Sequence, residues 1–237
     1  MKYIILLIFI LIASHDIKAN EMIDSLKTHI ANKDLDKVIS LIETHPEVLD
    51  ATDENNTSGL LIIAYSGMEA ALDKAAKVKT SFTFHEAIVC GKIDEVKNAL
   101  SKKKNLANKY SNDGFSPLSL AAFFNQNEVA SVLLEYEADP NLQATNPSKV
   151  NALHSAVARE NYELCKQLIA HGADANLAQM QNVTPLHSAA HRGNLKLVQL
   201  LVNNGADIHS KMDNGDTALS IAERDGHSEV KDYLESL

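Results

Sequence analysis

The chain has 237 residues, with 22 basic and 31 acidic side chains and a net charge of −9 when histidine is neutral. That acidic balance argues against general nucleic-acid binding, which needs clustered Lys and Arg against phosphates. No low-complexity linker interrupts it, so residues 20–237 read as one array rather than two globular domains.

The first segment reads as targeting sequence. Lys2 gives a positive start, and Ile4 to Ala13 is an apolar run too short to span a membrane comfortably. Ile17-Lys18-Ala19 supplies a cleavage site, so residues 1–19 are expected to be a signal peptide. Export follows, to the periplasm of a bacterium or to the outside otherwise. Cleavage removes Lys2, Lys18 and Asp16 and leaves the mature chain slightly more acidic. With no Cys nearby, a lipid anchor is not expected. The alternative is an uncleaved segment that makes the protein a membrane-anchored scaffold.

After residue 20 the chain repeats itself. Thr184-Pro185-Leu186-His187-Ser188-Ala189-Ala190 opens a block that closes Asn203-Asn204-Gly205-Ala206-Asp207. The preceding block opens Asn151-Ala152-Leu153-His154-Ser155-Ala156 and closes His171-Gly172-Ala173-Asp174. With the leucine as mark, equivalent residues are Leu26, Leu60, Phe84, Leu118, Leu153, Leu186 and Leu219. Successive marks are 34, 24, 34, 35, 33 and 33 residues apart. A Thr-Pro-Leu-His sentence with this period resembles the ankyrin repeat. The resemblance is strong in the last four copies; the first three rest mainly on spacing. It implies an all-α, ankyrin-like solenoid of about seven stacked helix-turn-helix units with short β-hairpin loops.

Each copy makes physical sense. Thr184 suits a helix N-cap and Pro185 the first helical position. Leu186, Ala189 and Ala190 form a narrow apolar stripe, and Leu197, Val198, Leu201 and Val202 line a second helix. Gly205 suits a left-handed helix stop, whereas Glu137 fills that slot in the fourth copy and predicts strain. The short gap after Leu60 leaves room for a second helix of roughly Met68 to Lys77, but not for a full hairpin before Thr80. The charged end from Val230 to Glu235 suits a polar cap.

No catalytic signature stands out, and neither a metal nor a cofactor is expected. His154, His187 and His191 are the alternative, as a metal-binding or weakly catalytic cluster, with His187 and His191 one turn apart. The resemblance instead makes the histidine after the leucine a bridge between backbone groups, and His85 shares that position. Cys90 and Cys165 sit two repeats apart, on the order of 20 Å for stacked helices, too far for a disulfide. Cys165 is expected to be buried; Cys90 is either a reactive thiol or partly buried without a role. Asn55-Asn56-Thr57 and Asn182-Val183-Thr184 are glycosylation patterns that matter only in a eukaryote.

The resemblance also implies a binding face. Its variable positions lie before the leucine mark and five and six residues after it. They give Phe115, Phe123 and Phe124 in the fourth copy and Arg159 in the fifth. In the sixth they give Met180, Val183, His191 and Arg192, and in the last Arg224. Three phenylalanines in one repeat suggest either an aromatic anchor for a partner or packing around the irregular units. The three arginines form either a basic ridge or a solvated face paired with Glu160 and Asp225. The expected function is non-catalytic binding of another protein. Exported bacterial proteins that this chain resembles imply an enzyme or toxin in the same compartment, or a host protein. Neither nucleic acid nor, after signal cleavage, membrane is an expected partner.

Overall fold

The computed structural model describes residues 18–237. The expected signal segment therefore lies outside the described residues except for Lys18 and Ala19, which begin the described part of the first helix. No helix among the described residues is long and apolar enough to cross a membrane.

The described residues divide into two compact units, 18–86 and 87–237, and the cut falls inside one short helix. The first unit contains α1 (18–31), α2 (Leu35–Thr44), α3 (Gly59–Tyr65) and α4 (Glu69–Val78). The helix α5 (Phe84–Val89) contains the cut. The second unit continues through α6 (Ile93–Lys102), α7 (Pro117–Phe123), α8 (Asn127–Glu135), α9 (Ala152–Ala158) and α10 (Tyr162–Ala170). It ends with α11 (Pro185–His191), α12 (Leu195–Asn203), α13 (Ala218–Arg224) and α14 (Ser228–Glu235). The described residues are thus all-helical, in seven helix pairs, and the helix expected in the short gap is α4.

In the second unit the first helices form one layer, α7 on α9, α9 on α11 and α11 on α13. The second helices form the other, with α6 on α8, α10 on α12 and α12 on α14. Leu118, Leu153 and Leu186 are buried between them, with Ala121, Ala122, Ala156, Ala189 and Ala190 at the close approaches. Small residues there let backbones approach while burying apolar surface, worth about 25 cal/mol per Å². Phe84 and Leu219 are only half-buried.

First helices start at a hydroxyl or amide cap. Ser58, Ser116, Asn151, Thr184 and Thr217 accept the backbone N–H of Leu61, Ser119, His154, His187 and Ser220. Each such cap is worth about 1 kcal/mol. The loops turn back on themselves through single backbone bonds, from Ser111 N–H to the Phe115 carbonyl (3.0 Å), Gln179 to Val183 (2.9 Å) and Met212 to Asp216 (2.9 Å). These turns are too tight for a ladder, and among the described residues no strand forms; the isolated bridge is Thr52 with Ser58. The strained stop is real: Glu137 has φ 64°, in the left-handed region where Gly172 and Gly205 sit at the equivalent turns.

An amide ladder that periodicity alone did not reveal joins these turns. Asn108, Asn141 and Asn176 each donate Nδ2–H to the carbonyl of the next repeat's stop, Glu137 (3.2 Å), Gly172 (2.9 Å) and Gly205 (2.8 Å). Each Oδ1 accepts the N–H of Asp139, Asp174 or Asp207 in return.

Candidate protein-binding face

The five-and-six positions sit where each first helix ends. Phe123, Ala158, His191 and Arg224 are the last helical residues, and Phe124, Arg159, Arg192 and Asp225 are the C-caps. Unsatisfied carbonyls give a helix C-terminus a partial negative charge that favours cations. Arg159, His191, Arg192 and Arg224 therefore have a local reason to be there. Phe123 and Phe124 have none.

Phe123 is 45% exposed and Phe124 half-buried, their rings edge-to-face at 5.2 Å and 81°. The Arg159 guanidinium lies 5.7 Å from the centre of the Phe123 ring, within cation–π range. Among the described residues no carboxylate forms an ion pair with Arg159. Arg192 and Arg224 differ. Arg192 approaches Glu160 (3.7 Å), which also accepts from Asn194 Nδ2 (2.9 Å). Arg224 holds Asp216 (2.5 Å) and Asp225 (3.1 Å), and His191 Nδ1 lies 2.6 Å from the same Asp225. His191 and Arg224, which share it, hold the Asp225 carboxyl below the usual range. At the turns, Phe115 and Val183 are half-buried and Met180 is 46% exposed. The ridge of three arginines thus resolves into two paired residues and one stacked on an aromatic ring.

The histidines of the alternative metal reading are not brought together as ligands. His187 Nε2 donates to the Ser210 carbonyl (3.0 Å), and its Nδ1 receives the Thr184 hydroxyl (2.8 Å) and N–H (3.1 Å). His154 Nε2 donates to the Val183 carbonyl (3.0 Å), and its Nδ1 faces Asn151 Oδ1 at 2.9 Å. Burial pushes the His154 ring down to about 4 against the opposing effect of that carbonyl, and burial likewise lowers His187. Both rings are neutral joints between repeats. Among the described residues, no group of three or more His, Cys, Asp or Glu is placed to hold a metal ion.

His85 does not take the joint position that its register suggested. The helix α5 starts one residue late, so Thr83 caps it by accepting from Glu86 N–H (3.4 Å) while Glu86 accepts from Thr83 N–H (2.8 Å). Glu86 is fully buried and His85 is half-buried edge-on to Phe84 at 5.6 Å. Neither cysteine forms a disulfide; Cys165 is buried, its thiol pushed up to about 12 by that burial, and Cys90 is half-buried.

Paired helices stacked in two layers, with caps and turns recurring at a fixed interval, define a helical repeat protein. Residues 153–236 match the family described as "Ankyrin repeats (3 copies)", and residues 113–145 match "Ankyrin repeat". The chain is an ankyrin repeat protein. Over 90 residues it is 34% identical to the human "DNA-binding protein RFXANK". That stretch is 38% of this chain and 32% of the relative, so the match spans about a third of the relative's length. Ankyrin repeats serve in general as protein-interaction scaffolds rather than catalysts.

Proposed function

We propose that this protein is an exported, non-catalytic ankyrin scaffold that binds one partner protein, met in the periplasm or outside the cell. The partner docks on the face made by the turns and first-helix ends of residues 87–237. One observation carries the reading: an exposed Phe123, braced by Phe124 and covered on one side by Arg159, sits where neither helix geometry nor core packing calls for an aromatic ring. Export rests on residues 1–19 as a signal peptide. The partner is an enzyme or toxin of the same compartment, or a host protein. The relative's printed name describes DNA binding; with 31 acidic against 22 basic residues, this chain lacks the charge for that role.

The test is a pull-down from the native exported fraction, comparing the wild-type chain with Phe123→Ala/Phe124→Ala at matched thermal stability. Capture by the wild type and loss in the variant is expected. Equal capture by both rejects the aromatic site, and absence of the protein from the exported fraction rejects export.

A further inference from the structure

Two of the face's three arginines are already neutralised and one is not. Arg192 faces Glu160 at 3.7 Å and Arg224 is held between Asp216 and Asp225, so a partner's carboxylate competes with an internal one at either. Arg159 is exposed, and its guanidinium lies over the Phe123 ring instead of on a carboxylate. A guanidinium stacked on a ring keeps its N–H fork free at the edge and loses less freedom when it binds. Phe123 stays 45% exposed beside it, and Phe124 fixes its ring from the edge. Beyond the proposed protein-binding role, on which this inference rests, we infer that the seam between α7 and α9 reads a short acidic–apolar segment of the partner. A Glu or Asp carboxylate is forked by Arg159, and a neighbouring Leu, Ile or Phe side chain seats on Phe123.

Charge complementarity selects this occupant. On a chain with net charge −9, Arg159 is a local positive group that has an aromatic ring beside it and no internal counter-charge among the described residues. A basic segment meets repulsion at Arg159, and a purely apolar one leaves its fork dry and unpaired. A Lys at this position would give a point charge without the fork or the planar stack.

The probe is a displayed library of random peptides, selected on the intact immobilised chain. Arg159→Ala, Phe123→Ala, Arg159→Glu and Tyr162→Ala are run in parallel, each with a thermal melt as folding control. Enriched peptides are expected to carry Asp or Glu next to Leu, Ile or Phe. Arg159→Ala weakens them by about ten-fold, the worth of one forked charge-assisted contact. Tyr162→Ala, on a second helix, leaves them unchanged. Arg159→Glu turns the preference to basic peptides, which a merely structural role for Arg159 does not do. Enriched peptides indifferent to Arg159 and Phe123 overturn the seam but keep the protein-binding reading. No enrichment on the wild-type chain also overturns recognition of a short segment, while the pull-down decides the broader reading separately.

Discussion

One joint in residues 18–86 is built on a buried ion pair, where the equivalent joints in residues 87–237 use neutral amides and imidazoles. At an offset of 58 residues, Asp50 and Lys79 stand where Asn108 and Glu137 stand later. In the later pair an amide bonds a backbone carbonyl. In the earlier one Lys79 pairs with Asp50, donates to the Leu49 carbonyl (3.4 Å) and lies 3.5 Å from Glu86. Glu86 in turn accepts from the Ser58 hydroxyl (2.5 Å) and the Thr83 N–H (2.8 Å). The Lys79 and Glu86 side chains are almost wholly buried. The same task is thus done by two chemistries with different failure modes. A buried ion pair roughly balances its desolvation only while both partners remain, whereas a neutral amide loses one bond at a time.

Removing half of the charged joint is the hardest blow to that contrast. Glu86→Ala is expected to destabilise by about 3 kcal/mol, because Lys79 loses its buried carboxylate and keeps only the exposed Asp50 and the Leu49 carbonyl. The double replacement Lys79→Met/Glu86→Leu recovers most of that loss. Urea unfolding checks both, and a single-variant loss under about 1 kcal/mol would show that the pair contributes no more than a surface bridge.

The neutral joint has its own weakness, which is acid. The folded His154 ring titrates near 4, below the unfolded value of 6.5, so below pH 6.5 the unfolded chain binds the proton first. Stability is complete above that value and falls as pH drops towards 4, by about 3 kcal/mol across the window. His187 adds to the fall with the same sign. Urea midpoints of the wild type should therefore decline from pH 7 to pH 4.5, and His154→Gln should flatten the decline while lowering the starting value. An equal slope in that variant rejects the assignment.

The smallest expected effect compares two neutral joints. The Thr184 hydroxyl accepts the His187 N–H and donates to the ring, doing both jobs with one oxygen. The Asn151 amide cannot, since Oδ1 caps His154 N–H and also faces its ring nitrogen. Asn151 Nδ2 is left buried with no partner. Asn151→Thr should stabilise by about 1 kcal/mol, read as a higher melting temperature, because an unsatisfied buried donor is removed. A lower melting temperature would mean that the larger amide is needed to fill the site.

Much of this was legible in the chain. The repeating Thr-Pro-Leu-His sentence foretold caps, stripes and turns because each is a local rule that needs only neighbouring residues. The missing glycine at Glu137 foretold its left-handed strain for the same reason. The face was legible only as positions. Arg159 is the repeat equivalent of Phe124, yet it stacks on Phe123 one residue away. Which arginine is paired depends on carboxylates that include Glu160, a repeat before Arg192, and Asp216, eight residues before Arg224.

The sequence by itself determined the helix pairs, their family and the capping of the regular copies, because hydrophobic period and cap chemistry act over a few residues. Only the tertiary structure decided that Glu86 and not His85 fills the joint, that Lys79 is buried against it, and that Arg159 alone of the three arginines rests on an aromatic ring. Those outcomes turn on where a helix starts to within one residue and on which side chains from different repeats meet. A period fixes how far apart equivalent positions lie; packing fixes which of them touch.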